Sequence, residues 1–196
     1  MEPEARHTDR VAGRDPLAVR LAYGDPSASR DLVERYHAGL YRYAVAILLD
    51  SDAAEDAVQD VFERALSAFG RYSEERLGGM MLRPWLYRIT LNVVRNRLRR
   101  QREMPVGEDP STLLGNSTDG LAERREDAMD ALAALAYLPE KQRVAVTLRY
   151  LQDLPYAEIA RITGWPESTA KTLVRRGLIR LRDLLILEDS EDGDAR

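Results

Sequence analysis

From Leu17 onward the apolar side chains recur at intervals of three and four residues, which puts them on one face of an α-helix, and no stretch alternates with the two-residue period of a strand. A brief helix from Leu17 ends near Tyr23, where Gly24, Asp25 and Pro26 stop it. The period resumes from about Ala28 to Leu49, with Leu32, Tyr36, Leu40, Tyr43 and Ile47 in one stripe. A third helix is predicted from Ser51 or Asp52 to Phe69, opened by a capping-box arrangement of Asp52 and Glu55, with Ala54, Val58, Val61, Phe62, Ala65 and Phe69 turned inward. Arg71 to Arg83 has Gly78, Gly79 and no clear period, which predicts a loop holding at most a short helical turn. Pro84 suits the first turn of a long helix reaching about Arg102.

The pattern then breaks. Pro105, Gly107, Pro110, Gly115 and Gly120 lie among Ser, Thr, Asp and Glu, which makes this stretch an interdomain linker. Helical spacing returns over Leu121 to Tyr137, then from Pro139 with Val144, Leu148 and Leu151 inward, then over Pro155 to Thr163 and Pro166 to Leu187. The fold class is therefore all-α. Residues 1–15 form a mobile N-terminal extension, 16–101 and 121–187 two small helical domains, 102–120 a flexible acidic linker, and 188–196 an acidic tail.

Composition narrows the function classes. With no cysteine, and with His7 and His37 as the two histidines, thiolate nucleophiles, disulfides, zinc ribbons and histidine-rich metal sites are excluded. No apolar run, Ala44 to Leu49 among them, comes near the length of a membrane span, and the start has no apolar core of a signal peptide, so a cytoplasmic protein without membrane contact is expected. Against 33 acidic residues stand 29 basic ones, a net charge of −4 that argues against a free nucleic-acid binder. The average hides a segregation: the basic residues, all arginine except Lys141 and Lys171, gather in two helical stretches and the acids in three others.

Three constellations follow from that segregation. In Leu154 to Arg182 a short helix, a turn and a long helix succeed one another, with Ala160 small enough for close helix contact and Gly164 four residues later to turn the chain. Ile159, Ile162, Trp165, Ala170 and Leu173 or Val174 supply its core, leaving Glu167, Ser168, Thr169, Lys171, Thr172, Arg175 and Arg176 near the start and outer face of the second helix. In a helix-turn-helix that surface enters the major groove, hydroxyls meeting phosphates and cations reading guanine edges; a basic face turned to water is the alternative. On the helix after Pro84, Arg88, Asn92, Arg95 and Arg99 share one stripe opposite Trp85, Leu86, Ile89 and Val93, and Arg97, Arg100 and Arg102 extend it. The stripe suits phosphate tracking or a solvated face equally. On the third helix Asp52, Asp56, Asp60 and Glu63, with Glu55 and Gln59, form an acidic face that reaches past the first turn; it fits a basic partner or plain solvent. His37 has no nucleophile and base around it, the carboxylates sit outside apolar pockets, and no glycine-rich phosphate loop is present, so no enzyme, metal or cofactor is expected.

Together, DAAEDAVQDVFERAL (Asp52 to Leu66), RPWLYRITLNVVRNRLRR (Arg83 to Arg100) and the stretch Tyr137 to Leu185 closely resemble the extracytoplasmic-function sigma factors of bacterial RNA polymerase, in the family's order over about Leu17 to Leu187. The resemblance implies a sigma region-two domain, then a region-four domain, with no region three between them. It implies that the acidic helix docks on core polymerase, that Arg88, Asn92, Arg95 and Arg99 with the preceding loop read the minus-ten element around a flipped base, and that the helix from Glu167 reads the minus-thirty-five element. The linker's carboxylates would stand in for RNA phosphates in the enzyme's channels. Core RNA polymerase, promoter DNA and an anti-sigma factor are the partners implied, and a monomer when free. The recognition helix reads STAKTLVRRG, with Leu173 where the family commonly has a basic residue. A free-standing helix-turn-helix repressor is the competing reading, but no heptad or exposed apolar helix offers it a dimer surface. A purely protein-binding adaptor would leave both basic stripes unneeded.

Overall fold

The computed structural model describes residues 15–103 and 133–192. Nearly all of the expected extension, most of the linker, the start of the helix expected from Leu121 and the end of the acidic tail lie outside the described residues. Every element among those described is helical: α1 (Pro16–Ala22), α2 (Ala28–Leu48), α3 (Ser51–Phe69), α4 (Glu74–Gly78), α5 (Leu82–Glu103), α6 (Glu140–Val146) running into a π-helical turn Thr147–Leu151, α7 (Tyr156–Thr163) and α8 (Glu167–Asp192). No helix among the described residues is long and apolar enough to cross a membrane.

Local chemistry sets the boundaries. Asp15 accepts from the Leu17 amide at 3.0 Å and Pro16 follows, a favourable start for α1. Arg20 at the end of α1 pairs with Asp25 at 2.7 Å and Asp31 at 2.5 Å and donates to Ser27 Oγ at 2.6 Å, so one guanidinium ties α1 to the start of α2. The hydrogen bond from Arg20 to Asp25, helped by the Ser27 amide and hydroxyl, pulls the Asp25 carboxyl from 3.8 down to about 2. Leu49 ends α2 in the left-handed region at φ 60°, a conformation costing a side chain roughly 1–2 kcal/mol. Asp50 then caps α3 by accepting from the Ala53 amide at 2.9 Å. The cap thus falls on Asp50 rather than in the expected Asp52 and Glu55 box; Glu55 instead meets His37 Nε2 at 3.1 Å.

The predicted stripes of α2 and α3 are buried throughout, and they close on Leu86, Leu91, Val93 and Val94 of α5. In the C-terminal half, Gly164 at φ +76° turns α7 into α8, its amide donating to Ala160 O at 2.8 Å. Gly177 lets α8 approach α6 closely, since a Cβ there would lie 2.6 Å from Val146 Cγ2. Two expectations need correction here. Leu151 is 40% exposed, because the π turn adds a residue to the helical register and rotates it away from the side that holds Val144 and Leu148. Helix α8 also continues past Leu187 to Asp192, taking up the first part of the expected tail.

The halves are not held apart. Val144, Leu148, Leu154, Ile159, Ile162 and Ala170 join the same buried cluster as α2, α3 and α5, and Ala46 of α2 packs with Leu135, Leu138 and Val146.

Leu40 is completely buried on the central stripe of α2. Leu40→Ala is expected to cost about 2–5 kcal/mol in urea denaturation. Asp25 offers a pH test: with its folded pKa lowered, its contribution is complete above the ordinary 3.8 and is lost as pH falls toward 2. Asp25→Asn is expected to flatten the decline of the thermal midpoint over that acid window, leaving its pH dependence near neutrality unchanged.

Candidate nucleic-acid interface

The acidic face is built by α3, whose opposite side is core. Asp52, Glu55, Asp56, Gln59 and Glu63 are exposed and Asp60 is half-buried. Gln59 donates to Glu63 at 3.1 Å, and Arg97 of α5 reaches across to Asp60 at 2.9 Å and Asp56 at 3.7 Å. Arg97 therefore leaves the phosphate row that it was expected to extend. Two residues beyond Arg95 is about 200° around a helix, which turns its guanidinium toward α3. Asp56 keeps 72% of its side chain in solvent and Asp60 41%, so the face stays open to a cationic partner, with Arg97 as a competitor already seated.

The row on α5 divides differently from its spacing. Arg88, Asn92 and Arg99 are exposed. Arg95 is partly covered: its Nε lies 3.2 Å from Glu140 at the start of α6, and its guanidinium carbon 5.7 Å from the centre of the Trp165 ring. Just before this row lies a group that periodicity could not reveal. The Arg76 guanidinium stands 3.9 Å over the Tyr72 ring, and Trp85 packs against both Tyr72, at 6.3 Å, and Phe69, at 5.3 Å. The i, i+4 spacing of Tyr72 and Arg76 was its one visible signal, and it lies in a segment too short and glycine-rich to show a helical stripe.

On α8 all seven predicted positions, Glu167, Ser168, Thr169, Lys171, Thr172, Arg175 and Arg176, are exposed together, while Ala170 and Val174 face inward and Leu173 is half-buried. Thr172 spends its hydroxyl proton on Ser168 O at 2.9 Å, leaving oxygen lone pairs outward. Lys171 Nζ lies 5.6 Å above the Tyr156 ring, which fixes the direction of its stem.

A further residue emerges between the halves. Gln152, which follows the π turn, is buried and accepts from Tyr87 Oη at 2.5 Å through Oε1 and from Arg83 Nη2 at 2.5 Å through its carbonyl. Burial pushes the Tyr87 phenol above its ordinary range, with the Arg83 charge opposing, so the phenol remains a donor at neutral pH. Nothing in the spacing of apolar residues singled out Gln152. Among the described residues no group of three or more histidine, aspartate or glutamate side chains is arranged to hold a metal ion.

Two family models match the chain, Sigma-70 region 2 over residues 32–104 and Sigma-70 region 4 over residues 128–181. The ECF RNA polymerase sigma factor SigC of Mycobacterium tuberculosis is 32% identical over 181 residues, 91% of each chain. Among solved structures, the sigma factor RpoE of Bartonella quintana, crystallised with the anti-sigma factor NepR, is similar at TM-score 0.63 and 25% identity over 81% of this chain and 97% of that one. CnrH, solved with the cytosolic domain of CnrY, shares the fold at TM-score 0.67 and 23% identity, over 87% and 96% of the two chains. With both sigma regions in order and a relative aligned over nearly its full length, the chain belongs to the extracytoplasmic-function sigma factors of bacterial RNA polymerase.

Proposed function

We propose that the protein is a dissociable initiation subunit whose three charged surfaces carry three separate tasks. The exposed acidic face of α3 docks on a basic surface of core polymerase through Asp52, Glu55, Asp56, Gln59, Asp60 and Glu63. Arg88, Asn92, Arg95 and Arg99 follow the melted minus-ten strand, with the Tyr72, Arg76 and Trp85 group beside them as a platform on which an extruded base stacks. Glu167, Ser168, Thr169, Lys171, Thr172, Arg175 and Arg176 enter the major groove of the minus-thirty-five duplex. Residues 16–101 and 121–187 are the two working domains, and 102–120 connects them. Bond formation belongs to the polymerase, so this chain supplies recognition and strand opening in the cytoplasm without chemistry of its own.

One observation carries this reading: the exposed face of a single helix, α8, gathers every polar position expected of a reading helix, while the acidic face that would repel DNA lies on the other half of the chain. Membership in the sigma factors favours the initiation subunit over a free-standing repressor. The sigma factor RpoE, solved with the anti-sigma factor NepR, supports control by a protein inhibitor here as well.

The decisive assay is co-elution of the purified chain with sigma-free core polymerase. A one-to-one complex is expected for the native chain, and Asp56→Arg combined with Asp60→Arg should abolish it without changing the helical circular dichroism spectrum; retained binding overturns the docking assignment. For the reading helix, Lys171→Ala and Arg176→Ala are each expected to weaken upstream-element recognition by about 1–3 kcal/mol where they touch bases, and by less, uniformly across sequences, where they touch phosphate. Footprints of the holoenzyme on a promoter and its point variants distinguish the two.

A further inference from the structure

Arg97 has two surroundings within reach, and one of them is the docking face. Its Nη2 holds Asp60 at 2.9 Å and its Nη1 lies 3.7 Å from Asp56, so in the free chain it occupies the carboxylates that a basic partner has to meet. Beside this pair runs a groove of about 320 Å³ between α3 and α5. Arg64, one turn beyond Asp60 on α3, lines it together with Asn96 and Arg100, one turn apart on α5. Arg64 and Arg100 are exposed, and neither is paired with a carboxylate among the described residues. The groove thus combines unpaired cations and an amide with an aspartate that Arg97 already neutralises. It opens next to Arg99, the last member of the row assigned to the melted strand.

The pair is built to be exchanged rather than to hold the fold. Both partners keep contact with water, Arg97 with 26% of its side chain exposed and Asp60 with 41%, and ion pairs in that setting are weak because solvent screens them. A fully buried pair would resist separation, since each charge would be left unpaired away from water. A second guanidinium seated on Asp60 would stand close beside that of Arg97, and the repulsion between the two cations grows as a docked interface expels water. The arginine stem is long enough to swing toward the groove without movement of the backbone.

We propose that Arg97 is an exchangeable counter-ion: in the free chain it stands in for the polymerase cation on Asp56 and Asp60, and on docking it is displaced into the groove, where with Arg64 and Arg100 it completes a site for a phosphate of the promoter strand. The proposal rests on the docking reading above. Carboxylates that are already occupied discriminate against chance basic surfaces, because a partner has to displace Arg97 before it gains its own contact. Docking and phosphate binding favour the same position of the Arg97 side chain, so each strengthens the other by the same factor.

Titration of sigma-free core polymerase with the full chain and its variants tests the exchange. Arg97→Met keeps the apolar stem without the charge and is expected to bind core about threefold more tightly, because no internal cation has to leave. Arg100→Met removes the same charge from the same helix but from a residue paired with neither aspartate, and should leave core affinity unchanged. On an Asp60→Ala background the gain from Arg97→Met should vanish. In holoenzyme bound to promoter DNA, Arg97→Met and Arg100→Met should each lower the slope of log affinity against log salt concentration by about one, as loss of a phosphate contact requires. Arg97→Gln is the second variant, with the same expectations, should the methionine variant lose its helical circular dichroism. Core binding that is unchanged or weaker for the folded Arg97 variant, or an equal gain for Arg100→Met, overturns the exchange, and unchanged salt slopes overturn the phosphate site. A native chain that does not bind core at all overturns the docking reading and the exchange with it, whereas native binding without the Arg97 effect overturns the exchange alone.

Discussion

Every surface described above depends on the burial of one side of α5 against α2 and α3. Leu86, Leu91, Val93 and Val94 fix the rotation of that helix, because turning it would trade completely buried aliphatic side chains for arginines. Once the rotation is set, the remaining directions follow. Arg97 faces the acids of α3, Arg88, Asn92 and Arg99 face solvent, and Arg95 faces the C-terminal half. Neighbouring arginines on one helix are thereby turned by hydrophobic packing toward different surroundings, where carboxylates such as Asp60 and Glu140 hold Arg97 and Arg95.

The same logic operates on α3 and α8 at smaller scale. Each has one face sealed by apolar packing and one face of nearly uniform chemical character, acidic on α3 and hydroxyl-rich and basic on α8. The net charge of −4 therefore describes no actual surface of the molecule. It does limit long-range attraction to DNA, so that specific contact is favoured once the chain has been brought to a promoter by another binding event.

Most of the fold was legible because helical periodicity reports burial, and the stripes of α2 and α3 and the inward residues of the helix-turn-helix lie where that period puts them. The exposed faces of α3 and α8 were legible for the same reason, being what remains once the apolar side is assigned. What escaped was geometry that periodicity does not encode. The π turn rotates Leu151 outward and buries Gln152, and a polar residue at that position carries no hydrophobic signal. The direction of Arg97 depends on a carboxylate 37 residues away, and the cap of α3 moved to Asp50 because Leu49 takes up a left-handed turn. Association of the two halves was equally invisible, since each half already accounts for its own apolar stripes.

The central claim is that these surfaces together direct core polymerase to chosen sequences and open them. It is tested most directly by transcription from a randomised promoter pool with core polymerase, in the presence and absence of the chain, with permanganate mapping of unpaired thymines on the selected templates. The account predicts transcripts that require the chain, selected templates that share two elements at fixed spacing, and reactive thymines at the downstream element only. Transcripts independent of the chain, or selected templates without a common pair of elements, would contradict it.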